Sequence, residues 1–162
     1  MHICNAWAMN TNLDSFDRAI LEILQQDNQT PQRTIGERVN LSAAAVQRRI
    51  KRMEEGGVIS RNTAVVDPSA VGKPITLFVE VELDSETIRH IDEAKRQFLE
   101  CPFVQQCYYV TGDVEFILVI VISTMSAYED LTRQLFFNNT NVKKFKTFVA
   151  MDRVKVGLTV AI

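Results

Sequence analysis

Gln47 and Arg48, followed by Lys51 and Arg52, are residue types that read or grip a nucleic acid. A glutamine amide can pair bidentately with adenine and a guanidinium with guanine, while further cations neutralise phosphates. Ahead of them stand Ser42, Ala43 and Ala44, small enough to let the start of a helix approach base edges in a major groove. The stretch carries helix signals at both ends, Ser42 as N-cap and Gly56-Gly57 as stop. Between them Val46, Ile50 and Met53 recur at i, i+4 and i+7 as one apolar stripe. At about 100° per residue, Ala44, Arg48, Lys51 and Arg52 project from the opposite side. Arg49 lies nearer the stripe and is expected to brace the domain. An ordinary surface helix with a solvated cationic face fits the same residues, so the flanking chain has to separate the two readings.

Upstream, Leu13–Gln26 reads as a first helix. Asp14 is its N-cap, Asp17 completes an approximate capping box, and Phe16, Ile20, Ile23 and Leu24 form its core stripe. Asp27–Pro31 breaks it, and Gln32–Asn40 reads as a short second helix with Ile35 and Val39 inward and Arg33 and Arg38 outside. Two short helices joined by a tight turn at Leu41-Ser42, the second presenting cations, make a helix-turn-helix. Downstream the period changes to two over Val58–Val66, which predicts a small wing with Arg61 near its turn. Arg33, Lys51, Arg52 and Arg61 are the phosphate candidates; a solvent-facing role fits Arg61 equally well. Asp67–Pro74 holds two prolines and a glycine and reads as a linker.

The second half repeats a strand–helix–strand pattern. Ile75–Leu83 alternates as a strand, Glu86–Glu100 is an amphipathic helix, and Val104–Thr111 is a strand. After a turn at Gly112-Asp113, Phe116–Ile122 is too apolar for a one-sided strand and reads as central. Ser126–Phe137 is a second helix, and Val142–Ala150 and Val154–Ala161 are the last strands. The pattern predicts a ferredoxin-like, mainly antiparallel sheet with both helices on one face. The other face would expose alternate apolar residues, best covered by a second copy. The expected division is an N-terminal arm over 1–12, a winged helix-turn-helix domain over 13–66, a linker over 67–74 and a ferredoxin-like domain over 75–162.

A net charge of −2 argues against a generally basic nucleic-acid binder, and residues 1–67 balance eight Lys/Arg against eight Asp/Glu. DNA affinity must come from a local patch, helped by multivalency. Lys143-Lys144-Phe145-Lys146 is a further basic cluster, expected to be a solvated strand start. Cys4, Cys101 and Cys107 have no ligand spacing, so neither a disulfide framework nor a metal site is indicated. No run is long enough for a membrane span, and Met1–Asn12 lacks the pattern of a signal peptide. A cytoplasmic location follows, with Met9 an alternative start, and nothing calls for a cofactor.

The order of these elements resembles the Lrp/AsnC (feast/famine) family of transcription regulators. The carriers are Leu13-Asp14-x-x-Asp17-x-x-Ile20-Leu21, then Leu41-Ser42-x-x-x-Val46-x-x-Arg49-Ile50-x-Arg52-Met53-Glu54-Glu55-x-Gly57-Val58-Ile59. Asp67-Pro68 with Gly72 and Val110-Thr111-Gly112-Asp113-x-Glu115-Phe116 follow in order. The resemblance implies an α+β chain, a winged helix-turn-helix followed by a βαββαβ (RAM/ACT-like) domain. It implies homodimers assembling into tetramers or octamers, binding of double-stranded DNA at an imperfect palindrome, and a small effector of amino-acid type. Tyr109 and the loop Thr111, Gly112, Asp113, Val114 and Glu115 are the implied effector residues. A glycine turn admits a carboxylate to backbone amides and an acid can pair with an ammonium; Gly112-Asp113 is also simply a good hairpin turn. Where the family commonly has a second Asp this chain has Glu115, which puts the choice of effector in doubt. Tyr108 and Tyr109 point to opposite sides of their strand, and spacing does not say which one meets the loop.

Two other functions fit parts of the pattern. Some chains resembling this family are sirohaem decarboxylases that use histidines, but the histidines here are His2 in the arm and His90, expected on the exposed side of a helix. An architectural protein that wraps DNA with little sequence choice is the other, and it predicts steep salt dependence with similar affinity for any duplex.

Overall fold

A computed structural model describes residues 12–162. The arm expected over 1–12 therefore lies outside the described residues, apart from Asn12. The chain divides into two compact units, residues 12–64 together with Val156–Ile162, and Val65–Lys155.

The first unit is built on three helices, α1 (Ser15–Gln26), α2 (Gln32–Val39) and α3 (Ala43–Glu55). Ile20, Leu21, Ile35, Val39, Val46 and Met53 form its buried core. α1 starts on a complete capping box, the Asp14 carboxylate accepting the Asp17 N–H and Asp17 accepting the Asp14 N–H. α3 starts on Ser42, whose Oγ accepts the Ala45 N–H at 3.2 Å.

The turn between α2 and α3 depends on close backbone approach. Asn40 is left-handed (φ 57°), and the Leu41 N–H donates to the Gly36 carbonyl at 2.9 Å. A Cβ on Gly36 would stand 2.4 Å from the Leu41 carbonyl oxygen, so only glycine fits in this helix interior.

α1 and α3 are joined by charge. Asp17 is fully buried and accepts from Arg49 at 2.8 Å and Arg52 at 2.5 Å; Asp14 accepts from Arg49 at 2.7 Å. Phe16, expected in the core stripe, is instead partly exposed with the Arg49 guanidinium over its ring at 5.3 Å. The Asp17 N–H and then Arg49 hold the Asp14 carboxyl below its ordinary value of 3.8.

The wing is a correction. Val58–Val66 forms no strand among the described residues. The N–H groups of Val58 and Ile59 instead bond the Met53 carbonyl and finish α3, after Gly57 turns left-handed (φ 72°). The remaining alternation has no neighbouring strand to pair with.

The second unit is a four-stranded antiparallel sheet in the order β2-β3-β1-β4. Its strands are β1 (Ile75–Leu83), β2 (Val104–Tyr109), β3 (Phe116–Ile122) and β4 (Val142–Val149). The apolar run of β3 lies between β1 and β2, as its composition predicts. One face packs against α4 (Ile88–Glu100) and α5 (Met125–Thr132), which continues as a π-helical turn, Arg133–Phe137. Phe98 is the hub of this core, edge-on to Phe116 at 5.3 Å and to Phe136 at 6.3 Å. The opposite face carries Phe78, Tyr108 and Phe148, 43%, 52% and 42% exposed, with Phe78 paired across strands to Phe148.

The last strand is also corrected. Val154–Ala161 is not part of the sheet. Val156–Ile162 groups with the first unit, where the Gln25 side chain pairs both backbone groups of Val160 at 2.7 and 3.0 Å. A glutamine amide thus takes the bonds a neighbouring strand would supply. Among the described residues no helix is long and apolar enough to cross a membrane.

Gly36→Ala is expected to destabilise the first unit by about 1–3 kcal/mol through overpacking against the Leu41 carbonyl, read as a shift in its urea midpoint. An unchanged midpoint would show that the turn relaxes freely. Asp14 titrates lower folded than unfolded, so its contribution is complete above the ordinary value of 3.8 and is lost as pH falls through the folded value. The loss of thermal stability between about pH 5 and pH 3 should be shallower in Asp14→Asn than in the parent chain. Equal slopes would remove Asp14 from the acid response.

Candidate nucleic-acid interface and effector loop

α3 turns Val46 and Met53 into the core and leaves Ala43, Ala44, Gln47, Arg48 and Lys51 exposed. Ala44, Arg48 and Lys51 share the side the helical spacing assigns to them, with Ala43 and Gln47 exposed beside it, and Ser42 stands just before them, its hydroxyl spent on the cap. The cations differ in how far they are committed. Among the described residues Arg48 and Arg61 make no ion pair, so both guanidiniums can meet a ligand. Arg33 pairs with Glu37 at 3.1 Å and Lys51 with Glu55 at 3.7 Å, both one turn along a solvated helix. Such surface pairs are worth little and yield readily to a phosphate. Asn62 donates to Glu54 at 2.9 Å, which holds the residue beside Arg61 against the end of α3.

Arg52 departs from expectation. Its guanidinium is 60% exposed on the side chain, yet it bonds the buried Asp17 carboxylate. Arg49 bonds Asp14 and Asp17, the bracing role expected of it, and both acids push its pKa up, Asp14 first. In the sequence Asp17 reads only as a capping residue, and Gly36 carries no expectation. An acid three residues after an N-cap and a lone glycine inside a short helix were the available signals.

The loop after β2 is a chain reversal closed by the Val110 N–H on the Glu115 carbonyl at 2.9 Å. Gly112 adopts φ 144°, a value side chains avoid. Thr111, Gly112 and Asp113 are exposed together and Val114 is half-buried. Glu115 is drawn away from them: its carboxylate accepts the Leu83 N–H at 2.6 Å and its own N–H donates to the Val81 carbonyl at 3.1 Å. β3 begins only at Phe116, so this side chain satisfies β1 at Leu83, two positions beyond Val81, the last residue paired in the ladder.

The two tyrosines separate as the alternation requires. Tyr109 lies on the helix side, 5.3 Å from the Phe116 ring with Lys95 over its own ring at 4.6 Å. Tyr108 lies on the open face, its hydroxyl donating to Gln106. A concavity of about 450 Å³ runs between the π-helical turn and the start of β4, lined by Phe137, Lys144 and Phe145 among others, and includes none of the loop residues. Lys143, from the basic cluster, is paired with Glu82. His90 is half-buried rather than on the exposed side of α4, and its Nδ1 has no hydrogen-bond partner. Among the described residues no group of three or more His, Cys, Asp or Glu could hold a metal ion.

Known proteins share this arrangement. Residues 13–54 match the family model of the AsnC-type helix-turn-helix domain, and residues 76–160 that of the Lrp/AsnC ligand binding domain. An uncharacterised HTH-type transcriptional regulator of Sinorhizobium fredii is 41% identical, over 93% of this chain and 89% of its own length. The leucine-responsive regulatory protein of Escherichia coli K12 is 29% identical, over 89% and 88%. Among solved structures, an AsnC family transcriptional regulator from Agrobacterium tumefaciens superposes with a TM-score of 0.86 at 30% identity, covering 92% of this chain and 97% of that one. A Neisseria meningitidis transcriptional regulator, solved as an L-Met complex, has the same fold, with a TM-score of 0.86 at 21% identity over 92% and 96%. A helix-turn-helix unit ahead of a ligand-binding sheet, matched along nearly its whole length, makes this chain a member of the Lrp/AsnC family of transcriptional regulators.

Proposed function

We propose that the protein is a sequence-specific regulator that reads an imperfect palindrome with two copies of α3 and answers to a small amino acid. The observation that carries the reading is the uncommitted row on α3, with Gln47 and Arg48 free for base edges behind two alanines. Lys51, Arg33 and Arg61 are its phosphate contacts. Phe78, Tyr108 and Phe148 on the open sheet face support a homodimer, which would set two reading helices on successive major grooves. Dimers assemble further into tetramers or octamers. The relatives are named as transcriptional regulators, which supports the non-enzymatic role and the cytoplasmic location we assign.

For the effector, Thr111, Gly112 and Asp113 offer an exposed glycine turn for a carboxylate and a free acid for an ammonium. Glu115 is occupied by Leu83, so Asp113 is the residue we assign to the ammonium. The Neisseria structure, an L-Met complex, supports an amino acid as the class of ligand.

The deciding experiment is fluorescence anisotropy with the protein's upstream DNA against a scrambled duplex, at two salt concentrations, with and without the twenty amino acids. Selective binding altered by the mixture is expected; equal binding to both duplexes would point to an architectural protein. Arg48→Ala should cost about 1–3 kcal/mol on the specific duplex, whereas Lys51→Ala should weaken both duplexes and reduce the salt slope by about 1. Unchanged binding would take Arg48 out of the reading set. Asp113→Asn should abolish the response to amino acids while leaving effector-free DNA binding as it was, and a retained response would move the ammonium site elsewhere.

A further inference from the structure

Taking α3 as the recognition helix, as proposed above, we infer that buried Asp17 sets its pose through Arg49 and Arg52, and that Arg52 is a positioning residue rather than a phosphate contact. Both oxygens of the Asp17 carboxylate are used, Oδ1 by Arg49 at 2.8 Å and Oδ2 by Arg52 at 2.5 Å, with the Asp14 N–H also on Oδ2 at 3.2 Å. Asp14 closes the cluster by accepting from Arg49 at 2.7 Å. Two carboxylates thus meet two guanidiniums, and the charges balance.

The two arginines are one turn apart, so they lie on one side of α3 and fix it at two points along its axis. A single contact would leave the helix free to swing; two contacts on a rigid carboxylate remove that freedom. Phe16 packs under the Arg49 guanidinium and closes the cluster from α1. Asp17 has no exposed side-chain surface, so releasing either arginine would leave one oxygen of a buried carboxylate without its cationic partner. The phosphate role fails on the same geometry: a DNA phosphate would have to compete with a desolvated carboxylate already in place. Bidentate base contacts tolerate little displacement, so the pose of α3 governs discrimination between sequences more than overall attraction.

The full-length chain is titrated with the specific and the scrambled duplex over a salt series, at a temperature where circular dichroism shows each variant folded. Asp17→Asn and Arg52→Ala should each lower the specific-to-scrambled affinity ratio at least tenfold, with the scrambled duplex bound as before and the salt slope unchanged. A role limited to stability would lower the melting temperature but leave that ratio intact in the folded protein. Two further results would overturn the inference. One is a salt slope reduced by about 0.9 in Arg52→Ala and restored in Arg52→Lys, which marks a phosphate contact. The other is tighter scrambled-duplex binding by Asp17→Asn, which marks a cation set free. Should Asp17→Asn fail to fold, the two Arg52 variants carry the test alone. Should the parent chain itself show no sequence preference, the recognition reading falls, and amide hydrogen exchange in α3 decides the brace: faster exchange from Val46 to Met53 in Arg52→Ala sustains it, and unchanged exchange ends it.

Discussion

A single carboxylate, Asp17, carries much of the first unit. Burying a charge is expensive unless its partners are in place, and here they come from a helix distant in sequence. The cluster therefore forms only when α1 and α3 have met in one arrangement. The apolar core of Ile20, Ile35, Val46 and Met53 brings the helices together but is tolerant of small rotations; two guanidiniums each bonded to its own oxygen of one acid are not. Gly36 serves the same end from the other side, letting the α2–α3 turn close against the Leu41 carbonyl. Hydrophobic contact supplies the association, and polar geometry supplies the angle.

The second unit solves a different problem. β3 is apolar on both faces because it lies inside the sheet, with α4 and α5 over one side. On the other side Phe78 and Phe148 meet across strands with Tyr108 nearby, too large an apolar surface to be left wet without a reason. Glu115 shows how the loop is tied to this frame. By accepting the Leu83 N–H it links the start of β3 to the far end of β1, and Lys143 on β4 pairs with the neighbouring Glu82. A shorter aspartate would have to bring the backbone closer to make the same bond. Glu115 thus has a structural role in the frame as well as its place at the end of the loop after β2.

Periodicity made the helices and four strands legible, since burial on one face leaves its mark at every third, fourth or second residue. The caps at Asp14 and Ser42 were legible for a local reason: their partners lie three residues away. The failures have one cause in common. Val58–Val66 and Val154–Ala161 alternate like strands, but a strand exists only where a neighbour supplies hydrogen bonds, and alternation says nothing of the neighbour. Val160 finds its partners in a glutamine side chain, which no pattern announces. Arg52 is a similar case, because its helical position is outward while its charge is drawn inward by Asp17, a residue 35 positions away. Phe16 went the same way, leaving the core stripe to lie under Arg49.

These pairings also bear on how a chain of net charge −2 can approach DNA. If every arginine near α3 were free, the acids of α1 would remain as an unpaired negative surface repelling phosphate at short range. Asp14 and Asp17 are instead neutralised by Arg49 and Arg52 on the bracing side of the helix. Solvent is left the field of Arg48, Arg61 and Arg38 among others, with Lys51 and Arg33 only loosely held by Glu55 and Glu37. Positive potential is thereby concentrated on the row that carries Gln47, and total charge becomes a poor guide to the local field. So small a patch holds a phosphate backbone weakly, and the second copy proposed above would supply the multivalency that offsets this.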